Sequence, residues 1–163
     1  MAVRNVLIEG DETLRKKSRV VTEITPRMRT LIEDMAETMY ANDGVGLAAP
    51  QVGVLRRAIV IDVREGEEGL IQLFNPVITE KNGTQTVEEA CLSVPGMSAK
   101  LERPFEVTVE GMNPEGEKVE YHAHGFLAQA FCHEIDHLDG ILYVDHPHER
   151  IEPQRAEEEG ADE

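Results

Sequence analysis

His133-Glu134-Ile135-Asp136-His137 reads H-E-x-x-H inside a helical stretch, Gly125 to about Asp139. Residues four apart on an α-helix lie one above the other, so His133 and His137 can aim two imidazole nitrogens at one metal ion. Glu134 stands one step round the helix, close enough to handle a water at that ion without ligating it. Two ligands and a base form the arrangement of metallohydrolases. Chance is the first alternative. With 6 His in a Glu-rich chain of 163 residues, the pattern arises at random with a probability of roughly 3 %. A Glu and two His also suit the polar face of an ordinary amphipathic helix. The neighbours weigh against both. Phe126, Leu127, Ala128, Ala130 and Phe131 precede the motif and Leu138 follows it. Both histidines therefore fall in a stretch expected to be buried, where an unpaired polar group is costly.

Upstream of this helix the chain reads as short strands and turns. Arg57 to Val63 is β-branched, and Leu70 to Phe74 is a second strand that Asn75-Pro76 ends, with Val77 to Thr79 still extended. Thr84 to Val87 leads into Glu88-Glu89-Ala90-Cys91-Leu92-Ser93. Phe105, Val107 and Val109 alternate with Glu106, Thr108 and Glu110, the period of a half-exposed strand. Asn113-Pro114-Glu115-Gly116 is a turn, and Lys118 to His122 returns as the partner strand. Glu65 to Gly69 reads as an acidic turn.

Nearer the start, Asp11 can cap a short helix over Glu12–Lys17. Thr25-Pro26 is a strong helix start, and Met28, Leu31, Ile32, Met35, Met39 and Tyr40 then follow at three- and four-residue spacing. The spacing predicts an amphipathic helix over 26–42, stopped by Asn42-Asp43-Gly44. Gly44 to Gly53 holds three Gly and a Pro, poor material for a regular element. Small residues there permit close backbone approach, and Gln51 is an amide set among apolar neighbours. The expected class is α+β: antiparallel strands around a central metal-binding helix, with an N-terminal amphipathic helix. Residues 1–150 read as a single domain and 151–163 as an acidic tail that cannot bury enough surface to hold itself in place.

Length and composition fit one globular core, with 40 % hydrophobic residues. No apolar run is long enough to span a membrane, and the first residues lack the apolar core of a signal peptide. Two Cys without a secretion signal suggest a reduced, cytoplasmic setting. A net charge of −16 speaks against a nucleic-acid groove or an anionic membrane surface.

A catalytic site of the zinc type takes three protein ligands and leaves one position to water. H-E-x-x-H supplies two. The downstream candidates for the third are His146, His148 and Glu149. The metzincin spacing needs His at 143, where the chain has Tyr143. The upstream candidate is Cys91, whose thiolate binds such ions well. Cys132, next to His133, reads as a buried small hydrophobe.

Three separated segments together resemble peptide deformylase. Its motif G-x-G-L-A-A-x-Q is matched by Gly44, Gly46, Leu47, Ala48, Ala49 and Gln51. E-G-C-L-S is matched by Glu89, Cys91, Leu92 and Ser93, and H-E-x-D-H by His133, Glu134, Asp136 and His137. Order and spacing agree, and the resemblance covers roughly residues 3–145. Position 90 is Ala90 where the pattern has Gly; an ordinary β-region φ there makes the change harmless. The resemblance implies that Cys91, His133 and His137 hold one divalent ion, Fe²⁺ in the cell, with Zn²⁺, Ni²⁺ or Co²⁺ able to substitute. It implies Glu134 as the proton-transfer group and the Gln51 side chain with the Leu92 N–H as oxyanion donors. Val45, Gly46, Glu89, Leu92, Phe126, Gln129 and His133 fall where that family binds peptide backbone and methionine. The implied substrate is an N-formylmethionyl nascent peptide, with formate as product and transient contact with the ribosome. Two rivals remain: a zincin-like endopeptidase with a downstream third ligand, and a deformylase-like domain without activity.

Overall fold

Thr25 and Pro26 start the first long helix. In the computed structural model, which describes residues 2–64 and 68–152, the Thr25 hydroxyl accepts the Met28 N–H at 3.3 Å. Helix α1 runs Pro26–Ala41. The cap satisfies an N–H that the first turn leaves without a partner, and proline lacks the N–H that would be wasted there. Asn42 ends the helix, its amide donating to the Thr38 carbonyl at 2.8 Å.

Strand β2 explains how the two helices are placed. All four residues of Ala58–Ile61 are buried. Ala58 and Val60 pack with Leu31, Ile32, Met35 and Met39 of α1. Ile59 and Ile61 turn the other way, towards Phe131, Ile135 and Leu138 of α2, Phe126–Leu138. A sheet covered on both faces calls for an unbroken apolar run rather than alternation. Each large side chain buried this way contributes about 1.5–3 kcal/mol.

The sheet itself has five antiparallel strands in the order β1-β2-β3-β6-β7. Here β1 is Gly46–Ala48, β3 Ile71–Asn82, β6 Glu106–Met112 and β7 Lys118–His124. A second sheet, β4-β5-β8, joins Gln85–Cys91, Val94–Arg103 and His148–Ile151. Strands β1 and β4 are therefore both edges, and α2 lies beneath the gap between them. The helix ends where Gly140 turns with φ 75; a Cβ there would stand 2.5 Å from the Arg15 carbonyl oxygen.

Several expectations change. Asn75-Pro76 does not end β3, a strand of 12 residues that continues to Asn82. Asn75 takes φ 53, and its amide pairs with Val21 N–H and C=O, each at 2.8 Å. The Asn-Pro pair thus makes a bulge inside a strand. Gly44–Gly53, expected to be irregular, contains β1 and a 3-10 turn, Ala49–Val52. Asp11 does cap, accepting the Thr13 N–H at 2.9 Å, but only one 3-10 turn follows, Glu12–Arg15. The whole of β5 went unassigned in sequence, because Pro95, Gly96 and the charged Lys100, Glu102 and Arg103 hide its pattern.

The boundary drawn at residue 150 from composition falls inside β8, where Ile151 pairs with Ser98. A chain stopped at Glu152 keeps β8 whole and should melt as the full chain does. A chain stopped at His146 should lose about 1–2 kcal/mol, roughly 2–8 °C in Tm, because the edge of β5 is stripped. Equal melting of the two would show that β8 contributes nothing. The acidic residues of the tail from 153 onward, and residues 65–67 of the expected acidic turn, lie outside the described residues.

Candidate active site

Helix α2 supplies His133, Glu134 and His137, all buried. Cys91 ends β4, where its pairing with β5 shifts register between Ala90 and Cys91. Such a bulge re-aims a side chain. The Cys91 Sγ lies 3.4 Å from His137 Nε2, and one ligand atom from each of Cys91, His133 and His137 falls within 4.8 Å of the others. Bond lengths for thiolate and imidazole ligands put donors about 3.3–3.6 Å apart around a tetrahedral ion. A soft sulfur with two imidazoles suits a borderline transition metal. Among the described residues this is the one His/Cys/Asp/Glu group so arranged.

The two downstream histidines are engaged elsewhere, and Glu149 is an exposed residue of β8 outside the cluster. His146 Nε2 lies 2.8 Å from Asp136 Oδ2, and His148 Nδ1 lies 2.7 Å from the His146 carbonyl.

The two imidazoles are tuned in opposite directions: burial pulls the His133 ring down, but Glu134, Cys91 and Glu89 outweigh it and hold the ring well above the usual imidazole range. Glu89 Oε1 stands 2.8 Å from His133 Nδ1. Burial pushes the Glu89 carboxyl up, but the Arg103 fork and His133 more than offset this and hold it at about 2. A carboxylate only accepts, so Nδ1 carries the proton and Nε2 is left as the donor to an ion. For His137, burial first and His133 second hold the ring well below the usual imidazole range.

Arg103, in the unassigned β5, is the residue that sequence reasoning missed. It is buried and grips Glu89 with Nε at 2.7 Å and Nη2 at 2.9 Å. Its Nη1 reaches Asp136 at 2.8 Å. The signal available in sequence was the charge balance: a buried Glu89 requires a cation nearby.

Gln51, also buried, is oriented from behind. Its Oε1 accepts the Ala48 N–H at 2.9 Å, so Nε2 faces Cys91 and donates to Ser93 Oγ at 3.0 Å. Gly46 lies so close to α2 that a Cβ would stand 2.5 Å from Glu134 Oε2. Glu134 is enclosed: burial pushes its carboxyl up to about 7. Its Oε1 is buried with no hydrogen-bond partner among the described residues.

These groups open on a cleft of about 370 Å³ between the edges of β1 and β4. Val45, Gly46, Gln51, Glu89, Cys91, Leu92, Phe126, Gln129, His133 and Glu134 all line it. His137 sits behind, in contact with Cys91. Ala90 is a paired, exposed residue of β4 opposite Ser98. Among the described residues, the non-glycine residues with positive φ are Asp43, Arg64 and Asn75, so alanine at 90 carries no left-handed strain.

Residues 3–153 match the family model described as polypeptide deformylase. The chain belongs to the polypeptide deformylase family. It is 56 % identical over 145 residues to the peptide deformylase of Acetivibrio thermocellus, spanning 89 % of this chain and 84 % of that one. The Alkaliphilus metalliredigens peptide deformylase is 54 % identical over 145 residues, 89 % of this chain and 97 % of its own. Among solved structures, the Legionella pneumophila peptide deformylase superposes with a TM-score of 0.86 at 42 % identity, covering 90 % of this chain and 86 % of that one. That from Thermotoga maritima gives 0.85 at 40 % identity, covering 94 % and 100 %. As a deformylase the chain is a metal-dependent hydrolase that removes the N-formyl group from nascent peptides. The mixed helix and antiparallel-sheet fold agrees with the fold class read from sequence.

Proposed function

We propose that Cys91, His133 and His137 hold one divalent ion, Fe²⁺ in the cell, and that Zn²⁺, Ni²⁺ or Co²⁺ can replace it. The observation that carries this is the clustering of one thiol and two imidazoles beside a cleft lined by Glu134, whose Oε1 is buried with no hydrogen-bond partner among the described residues. When bound, the ion supplies Lewis-acid chemistry, lowering the pKa of water toward neutrality and polarising a carbonyl. In this reading α2 is the central support of the site, and the amphipathic α1 backs the β1 wall.

Glu134 accepts the proton of the attacking water at its open oxygen and returns it to the leaving amine. The Gln51 Nε2 group and the Leu92 N–H donate to the formyl oxygen as it gains negative charge. Because Gln51 Oε1 is tied to Ala48, its amide is already turned for this and needs no reorganisation. Gly46, on a free strand edge, and Glu89, opposite it, flank the peptide backbone. Val45, Leu92, Phe126, Gln129 and His133 receive the methionine side chain. A hydrogen on the carbonyl carbon fits between Gly46 and the metal ligands, and a methyl would clash, which selects formyl over acetyl. The partner is an N-formylmethionyl nascent chain met during transient contact with the ribosome in the cytoplasm. A net charge of −16 disfavours DNA, and no described helix is long and apolar enough to cross a membrane.

Metal removal tests the centre. Chelation should abolish turnover, and Fe²⁺ under reducing conditions should restore it; Zn²⁺ or Ni²⁺ should give a form that survives longer in air. Cys91 lies beside the redox-active ion, whereas burial raises the Cys132 thiol to about 11 and keeps it inert. Mass spectrometry of the aged iron form should find added oxygen on Cys91 before Cys132. Oxidation confined to Cys132 would remove this account.

A further inference from the structure

One wall of the cleft is held from outside by residues that belong to none of the three motifs. Gly44, Val45 and Gly46 connect the end of α1 to β1, and each is held differently. Gly46 pairs with Ile61 in the sheet. The Val45 carbonyl accepts the Asp62 N–H at 2.8 Å. The Gly44 carbonyl accepts from the Arg64 Nη2 at 2.9 Å.

Arg64 is well placed for this and unusual in its backbone. It adopts φ 61, and Asp43, at the other end of the same wall, adopts φ 57. A long side chain in the left-handed region is uncommon and persists only where its surroundings hold it. Here the Asp62 carboxylate accepts the Arg64 N–H at 2.9 Å and also the Tyr40 hydroxyl. The guanidinium lies 5.6 Å over the Tyr40 ring, a stacking that a planar cation favours. Burial, with Asp62 second, pushes the Tyr40 phenol up to about 12, so it stays a donor. Arg64 itself is exposed and adds nothing to the hydrophobic core.

We propose that Arg64, locked by Asp62 and Tyr40, is a positioning residue that clamps the Gly44 carbonyl and so sets the wall on which the formyl-peptide docks. Arg64 contacts Gly44, Asp62 and Tyr40, and it does not line the cleft. The inference rests on the deformylase reading of the cleft for its kinetic consequence, and on geometry alone for the clamp.

Arg64→Gly separates side chain from backbone. Glycine adopts φ 61 freely, so the turn is relaxed and only the guanidinium is lost. With formyl-Met-Ala-Ser as substrate, KM should rise about three- to tenfold, the scale of one ordinary hydrogen bond, as expected for a guanidinium exposed to solvent. The value of kcat and the metal content should hold. Arg64→Lys, which keeps the charge without the planar fork, should fall between. Amide exchange at Asp62, whose N–H holds Val45, should quicken in Arg64→Gly while Tm is unchanged. A wild-type KM in Arg64→Gly overturns the proposal, and so does a fall in kcat that tracks metal loss. If the wild-type enzyme itself fails to release formate, the deformylase reading fails. The exchange rate at Asp62 then decides the clamp alone: faster supports it, unchanged overturns it.

Discussion

Cys91→Ala should lose its stoichiometric metal and its turnover together, and His137→Ala should do the same. A three-ligand centre has no spare donor. Removing the thiolate leaves two imidazoles, and outer partners alone are worth 10–100-fold in metal affinity, so a direct ligand is worth at least as much. No nearby group can step in. His146 is drawn to Asp136 at 2.8 Å, and His148 to the His146 carbonyl at 2.7 Å. Elemental analysis after dialysis, with formate release on the same sample, reads both quantities. A Cys91→Ala protein with one metal per chain and normal turnover would contradict the ligand set. It would return the third ligand to His146, His148 or Glu149 and revive the endopeptidase reading.

Glu134→Ala should behave in the opposite way: metal retained, turnover reduced about 10²–10⁴-fold, the usual worth of a positioned proton-transfer group. Its Oε1 has no partner among the described residues, so it is free to take a proton from water rather than occupied in holding the fold. Gly46 presses against Oε2, where a Cβ would approach to 2.5 Å, which fixes the carboxylate without consuming its open oxygen. Glu134→Gln, of nearly the same shape, should fall as far as alanine. If Glu134→Ala lost metal as completely as Cys91→Ala, the residue would be a ligand or a prop for one.

How much of this was legible in sequence depended on the range of the interactions. The helix with His133 and His137 is local: its spacing, its apolar lead-in and Gly140 are all within one stretch. The start of α1 at Thr25-Pro26 is local in the same sense, and its end came within one residue. Cys91 is 42 residues before His133, and spacing alone could not choose it over His146; the three motifs in register did. Arg103 escaped notice because its role exists only after β5 is paired and Glu89 is buried. Asn75-Pro76 misled because a turn signal served a bulge, satisfied by Val21, which sits 54 residues away. Arg64 gave no signal, since a positive φ and a bond to Gly44 are properties of the folded backbone.

The central claim is that this cleft hydrolyses a formyl amide through a Cys91-His133-His137 centre with Glu134 moving the proton. Formate release from formyl-Met-Ala-Ser by freshly reduced, iron-loaded protein tests it most directly. Formate and free Met-Ala-Ser should appear in equal amounts, at a rate that falls about 10²–10⁴-fold in Glu134→Ala. A fully metal-loaded protein that releases no formate, or that cuts the Met–Ala bond instead, would contradict it.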